Sequence, residues 1–183
     1  MLSATALLAS AAPAFAQTAP SLPSGGVFVA GEGTIQAAPN SMTITQSSNR
    51  GVIDWREFSI GTEHKVQIDN ATGATLNRVM GGQLSRIEGA LSATGSVYLM
   101  NPAGVIVGPG GKVMTGGNYI ATTGAIDKGA FMAGGALAIT GATGASITNQ
   151  GSVVSQTGSV MMIARSVSNS GTIKAAKGRV ALA

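Results

Sequence analysis

Near its C-terminus the chain repeats itself with a shift of 20 residues. Ile147, Asn149, Gly151 and Val153 read onto Val167, Asn169, Gly171 and Ile173, and further on Gly158, Val160 and Met162 read onto Gly178, Val180 and Leu182. Small residues, asparagines and aliphatics all stay in phase. A period of this length is one coil of a solenoid, because a single coil cannot bury its own aliphatic face and must stack on a neighbour. The repeat therefore predicts that Val153 lies under Ile173 and Val160 under Val180. It also sets the Asn149 amide under that of Asn169, where one can bond the next. At strand spacing, roughly eight such coils from Gly26 to Ala183 would build a rod on the order of 40 Å long.

The rest of the chain agrees with an all-β, single-stranded parallel solenoid. Ser41–Thr45 and Lys65–Ile68 alternate, whereas Ser96–Met100 and Val105–Val107 are short apolar runs, as are Val160–Ala164 and Arg179–Leu182. Gly, Asn or Pro bound each of them, where the backbone can reverse. Aromatics make up only 4% of the residues, so Val, Ile, Leu, Met and Ala must fill the core. No helical pattern exceeds a turn or two. The best is Leu84–Leu91, interrupted by Gly89 and read as a short turn or helical cap.

Residues 2–12 form a short apolar run ahead of Ala14, Phe15 and Ala16, a small-x-small site. This predicts a signal peptide over residues 1–16, too short to span a membrane, followed by a polar arm over 17–25. A solenoid exposes unpaired strand edges at its ends and needs a cap. The less repetitive stretch 26–86, with Trp55, is the candidate for the cap and first coils, leaving 87–183 as the regular coils. The ladder is still running at Val180–Ala183, which suggests a fragment or a truncated product.

Residues 95–113 hold a strand, the turn Asn101-Pro102-Ala103-Gly104 and a second strand. Pro102 presets its φ for a turn, Gly104 can take positive φ, and Asn101 can bond back to the turn amides. Three further segments accompany this turn: Leu76–Val79, Ser85–Leu91, and Val52–Ile60 around Trp55 and Phe58. Taken in order, these segments resemble the filamentous haemagglutinin N-terminal, or two-partner secretion, domain. In that family an Asn-Arg-Val stretch and an Ile-x-Gly-x-Leu stretch precede an apolar strand ending in Asn-Pro-Asn-Gly. Ala103 departs from the usual second Asn but leaves the turn possible. The resemblance covers 26–183 and implies a right-handed parallel β-helix of the pectin-lyase-like kind with an N-terminal cap.

The resemblance also implies the partners. These are the general secretory machinery, a cognate outer-membrane transporter pore with periplasmic repeat domains, and host or neighbouring-cell surfaces reached through a downstream passenger. The implied destination is the surface or surroundings of a Gram-negative bacterium. Asn101, Pro102 and Gly104 are the expected transporter-recognition or folding residues.

Other chemistries are weaker. Parallel β-helices also host polysaccharide lyases and hydrolases, which need clustered carboxylates. The acids Glu32, Asp54, Glu57, Glu63, Asp69, Glu88 and Asp127 do not recur at coil spacing, and residues 147–183 contain none. His64 is the lone histidine and there is no cysteine, so a His/Cys metal cluster is excluded. Gly110, Gly111 and Lys112 lack the Ser or Thr of a phosphate loop, because Val113 follows. The net charge of +4 comes from scattered cations without interleaved aromatics, which argues against nucleic acid. No cofactor and no enzymatic activity are expected.

Overall fold

The computed structural model describes residues 22–183. The segment 1–16 expected to be a leader, and the first part of the expected arm, lie outside the described residues. The fold opens with β1 (Val27–Ala30) and β2 (Gly33–Ala38), after which the chain winds into coils. The first coil holds β3 (Ser41–Gln46) and β4 (Arg50–Trp55). The second holds β5 (Lys65–Asp69), β6 (Ala74–Val79) and β7 (Ser85–Ile87). The third holds β8 (Ala90–Ala93), β9 (Ser96–Met100) and β10 (Val105–Val107).

The fourth coil starts with β11 (Lys112–Thr115) and β12 (Tyr119–Thr122). The chain then leaves the solenoid through β13 (Ala125–Ile126), α1 (Lys128–Ala133) and β14 (Ile139–Thr140). It returns as β15 (Ser146–Asn149). The fifth coil follows with β16 (Ser152–Ser155), β17 (Val160–Ile163) and β18 (Ser166–Asn169). A sixth begins with β19 (Thr172–Ala175) and β20 (Val180–Leu182).

Three sheets form the walls. Two are seven-stranded, in the orders β1-β4-β6-β9-β12-β17-β20 and β2-β3-β5-β8-β11-β16-β19, and one is four-stranded, β7-β10-β15-β18. Pairing between coils is parallel throughout these walls. β1 and β2 instead add antiparallel, on β4 and β3, and close one end of the stack. Closing an end this way occupies strand edges that would otherwise be free to pair with another chain.

The predicted ladders are present. Val153 pairs with Ile173, Val160 with Val180 and Met162 with Leu182. Asn149 Nδ2 donates to Asn169 Oδ1 at 2.7 Å.

Two expectations need correction. The coils number about six, not eight, because the step is not constant. Ser41 is in register with Lys65, then Ala90, Lys112, Ser152 and finally Thr172, so only the last step is 20 residues. At strand spacing the rod is about 30 Å long. Leu84–Leu91 is not helical; it forms β7 and enters β8, with Gly89 at the corner. The helix α1, six residues long, stays within the turn or two the sequence allows, and it is started by Asp127, whose side chain accepts from Ala130 N at 2.7 Å.

Alternation along each strand divides the apolar residues between two clusters. Val97 and Leu99 of β9 point into the solenoid, with Ile53, Trp55 and Ile68. Tyr98 and Met100 point outward, beside Val52 and Leu76 of the neighbouring coils, and there Ile126 and Phe131 of the excursion cover them. Phe131 meets Tyr98 edge to face at 5.1 Å, a favourable aromatic geometry. β9 therefore reads as an unbroken apolar run because both of its faces are buried.

Tyr119 is fully buried in the inner core, and its hydroxyl has no hydrogen-bond partner. Burial pushes its ionisation well above the ordinary tyrosine range. The folded state therefore keeps the proton at pH values where the unfolded chain gives it up. The associated stability is complete below about pH 10 and is lost as pH climbs beyond it, by up to about 1.4 kcal/mol per pH unit. Tyr119→Phe should flatten that alkaline loss and leave the neutral-pH melting temperature equal or higher, since no bond is given up. Thermal melts between pH 7 and 11 read both; a melt at pH 7 lowered by several degrees would refute this account.

Candidate functional site

The turn after β9 is held from inside. Asn101 is 1% exposed. Its Oδ1 accepts from Ala103 N at 2.9 Å, and its carbonyl accepts from Gly104 N at 3.0 Å, so one residue closes the turn twice. The other end of the amide reaches across to the previous coil. Nδ2 donates to Gln83 O at 2.8 Å and to the buried Ser85 Oγ at 2.9 Å. Gly104 adopts φ +107°, and a side chain there would also press on Ser146 O and Leu84. Pro102 is exposed, and its carbonyl accepts from Thr143 Oγ1 at 2.6 Å, tying the turn to the returning end of the excursion. Of the three residues singled out from the sequence, two are buried organisers of the corner and Pro102 alone faces solvent.

The earlier segments converge on the neighbouring sheet. β4 and β6 pair so that Asp54 stands opposite Arg78 and Trp55 opposite Val79. Arg78 grips Asp54 with two bonds, Nε to Oδ1 at 2.7 Å and NH2 to Oδ2 at 2.8 Å. Such a forked pair fixes register as well as adding energy. Asn77 points the other way, into the core, where its Oδ1 accepts from Trp55 Nε1 at 3.0 Å. Trp55 in turn meets Phe58 edge to face at 5.4 Å.

A second buried polar chain joins three coils. Asn70 Nδ2 donates to Thr75 Oγ1 at 2.9 Å, and Thr75 Oγ1 donates to Gln46 Oε1 at 2.8 Å. Asn70 Oδ1 accepts from Gly95 N at 2.7 Å. Sequence reading missed Gln46, Asn70 and Thr75, whose only local signal is a polar residue at an inward position of a strand or its end. Fully bonded buried polar groups of this kind specify which strand lies beside which.

Three of the acids weighed for a lyase-type centre serve elsewhere. Asp54 is held by Arg78, Asp69 accepts from Gln67 Nε2 at 3.1 Å, and Asp127 caps α1. Among the described residues no three of His, Asp and Glu stand together as a metal centre would require. His64 lies in the turn before β5, its Nδ1 2.8 Å from Thr62 O. The arrangement at Asn101, Asn77 and Asn70 offers shape and register, with side-chain amides locking one coil to the next.

Comparison with known proteins agrees with that character. The family model described as the TPS secretion domain matches residues 19–183. The chain is 40% identical over 103 residues to a heme/hemopexin-binding protein of Haemophilus influenzae strain Rd, covering 55% of this chain and 11% of the relative. A second Haemophilus influenzae heme/hemopexin-binding protein is 41% identical over 113 residues, covering 60% of this chain and 12% of the relative. The chain thus aligns with about a tenth of the length of these curated relatives. The crystal structure of the HMW1 secretion domain from Haemophilus influenzae superposes with a TM-score of 0.76 at 31% identity, covering 84% of this chain and 42% of that one. The stacked coils, the antiparallel end and the order of the Asn-Arg-Val and Asn-Pro segments thus have one common explanation, and the chain belongs to the TPS secretion domain family, the targeting domains of two-partner-secreted exoproteins.

Proposed function

We propose that this domain is the address by which a longer exported protein is passed to its own outer-membrane transporter, and that its folding outside the cell starts the rod. Membership of the family implies export from a Gram-negative bacterium through the outer membrane with a cognate transporter as partner. The finer steps are part of the proposal. The leader at 1–16 engages the general secretory machinery, and the chain crosses the periplasm extended. Periplasmic repeat domains of the pore then hold the arm and the region 26–86. Host or neighbouring-cell surfaces are met through a passenger and not through these coils.

The observation that carries the reading is the polarity of the stack. β1 and β2 close one end antiparallel, while β18, β19 and β20 carry parallel ladders at the other. A coil formed first at the closed end offers a template for the next, so growth runs one way.

The test is export of the chain with its leader retained but residues 26–86 deleted, co-expressed with its transporter. Loss of the protein from the medium, with accumulation in the periplasm, is the expected result. Undiminished secretion would refute the role of this segment.

A further inference from the structure

Turns stack at one corner of the solenoid, and four of them, between β3 and β4, β5 and β6, β8 and β9, and β11 and β12, border one another. They leave a groove of about 120 Å³ on its flank, lined in part by Arg50, Thr72, Tyr98 and Asn118. Arg50 is half-buried there. NH1 donates to Phe131 O at 3.0 Å, and the guanidinium lies 5.1 Å from the Phe131 ring centroid. No carboxylate of the described residues pairs with it; the ion pairs found among them are Arg78–Asp54 and Arg86–Glu88. A partly desolvated cation held only by a carbonyl and a ring face keeps unused donors and an uncancelled charge.

Two neighbours complete the donor set. Asn118 is fixed by its backbone, whose N–H donates to Ser96 Oγ at 3.0 Å, and by its Oδ1, which accepts from Ser159 N at 2.8 Å. Tyr98 lines the same groove, and its hydroxyl is the second donor available there. Burial raises the ionisation of Tyr98, while Arg50 and Asn118 oppose the rise, so hydroxyl and guanidinium share one electrostatic environment.

We propose that this groove binds a small carboxylate, with Arg50 supplying charge and N–H donors and Tyr98 a hydroxyl donor. The volume suits a carboxylate with its attached carbons, and the site presents donors and no acid to repel it.

The test follows the Arg50 Nε–Hε resonance of the folded chain during titration with acetate and with glucuronate, with glucose and chloride as controls. Saturable shifts with both carboxylates, absent with the controls, are expected. Tyr98→Phe, which keeps the ring against Phe131, should weaken binding roughly tenfold, and Arg50→Gln should abolish it as followed through the Asn118 side-chain amide. Chloride matching acetate, a shift that never saturates, or unchanged affinity in Tyr98→Phe would overturn the proposal. Because the readout is binding and not secretion, its failure leaves the export role untouched.

Discussion

Gly151→Ala is expected to destabilise the domain by about 3 kcal/mol, which for a chain of this size lowers the melting temperature by roughly 6–12 °C. Gly151 sits at the corner between β15 and β16, and an added Cβ would collide with the carbonyl oxygens of Gly108 and Gly111 in the coil below. Those oxygens are backbone and cannot swing aside. The Gly111 carbonyl also accepts from Ser152 N at 2.9 Å, so relief by separation breaks the ladder between coils four and five. The residue above repeats the situation, since a Cβ on Gly171 would meet the carbonyl of Gly151. Gly144→Ala is the matched control: it lies in the excursion with open space around it and should shift stability by less than about 0.5 kcal/mol. Equal melting temperatures for the two variants would contradict the close stacking described.

Asn101→Ala should cost about 2–4 kcal/mol. It removes the bonds to Ala103 N, Gln83 O and Ser85 Oγ together and leaves the buried Ser85 hydroxyl without its donor. The thermal midpoint, by the same scaling, falls by roughly 4–16 °C. Pro102→Ala separates the two roles open to this turn. Pro102 is exposed and donates nothing, so the variant should melt within about 2 °C of the parent. If the turn is a folding corner, the purified periplasmic domains of the transporter bind both variants as tightly as the parent, at temperatures where both are folded. Weakened binding of the stable Pro102 variant would instead make the turn a contact read by the transporter. The bonding of Asn101 favours the corner.

Much of this architecture is written in local sequence, and the reason is geometric. Strand side chains alternate with a period of two, so Val153, Val160 and Met162 could be assigned to inner ladders without knowing anything distant. The 20-residue echo set their partners as well. The turn at Asn101 was equally legible, because Asn, Pro and Gly act through their own backbone neighbours. Coil number was not. Successive coils differ in length, and the excursion between β12 and β15 doubles one step, so a fixed period overcounts.

Only the wound chain could decide that Asp54 faces Arg78, that Trp55 meets Asn77, or that Gln46, Thr75 and Asn70 join in one buried chain. Nor does the run Ser96–Met100 say that its outer face is roofed by Phe131, which lies in the excursion. Each of these contacts depends on how far the backbone travels before it passes the same corner again. That distance is the sum of many turn lengths, and stacking sets it as a whole: only the wound offset buries both faces of β9 and brings Gln46, Thr75 and Asn70 together.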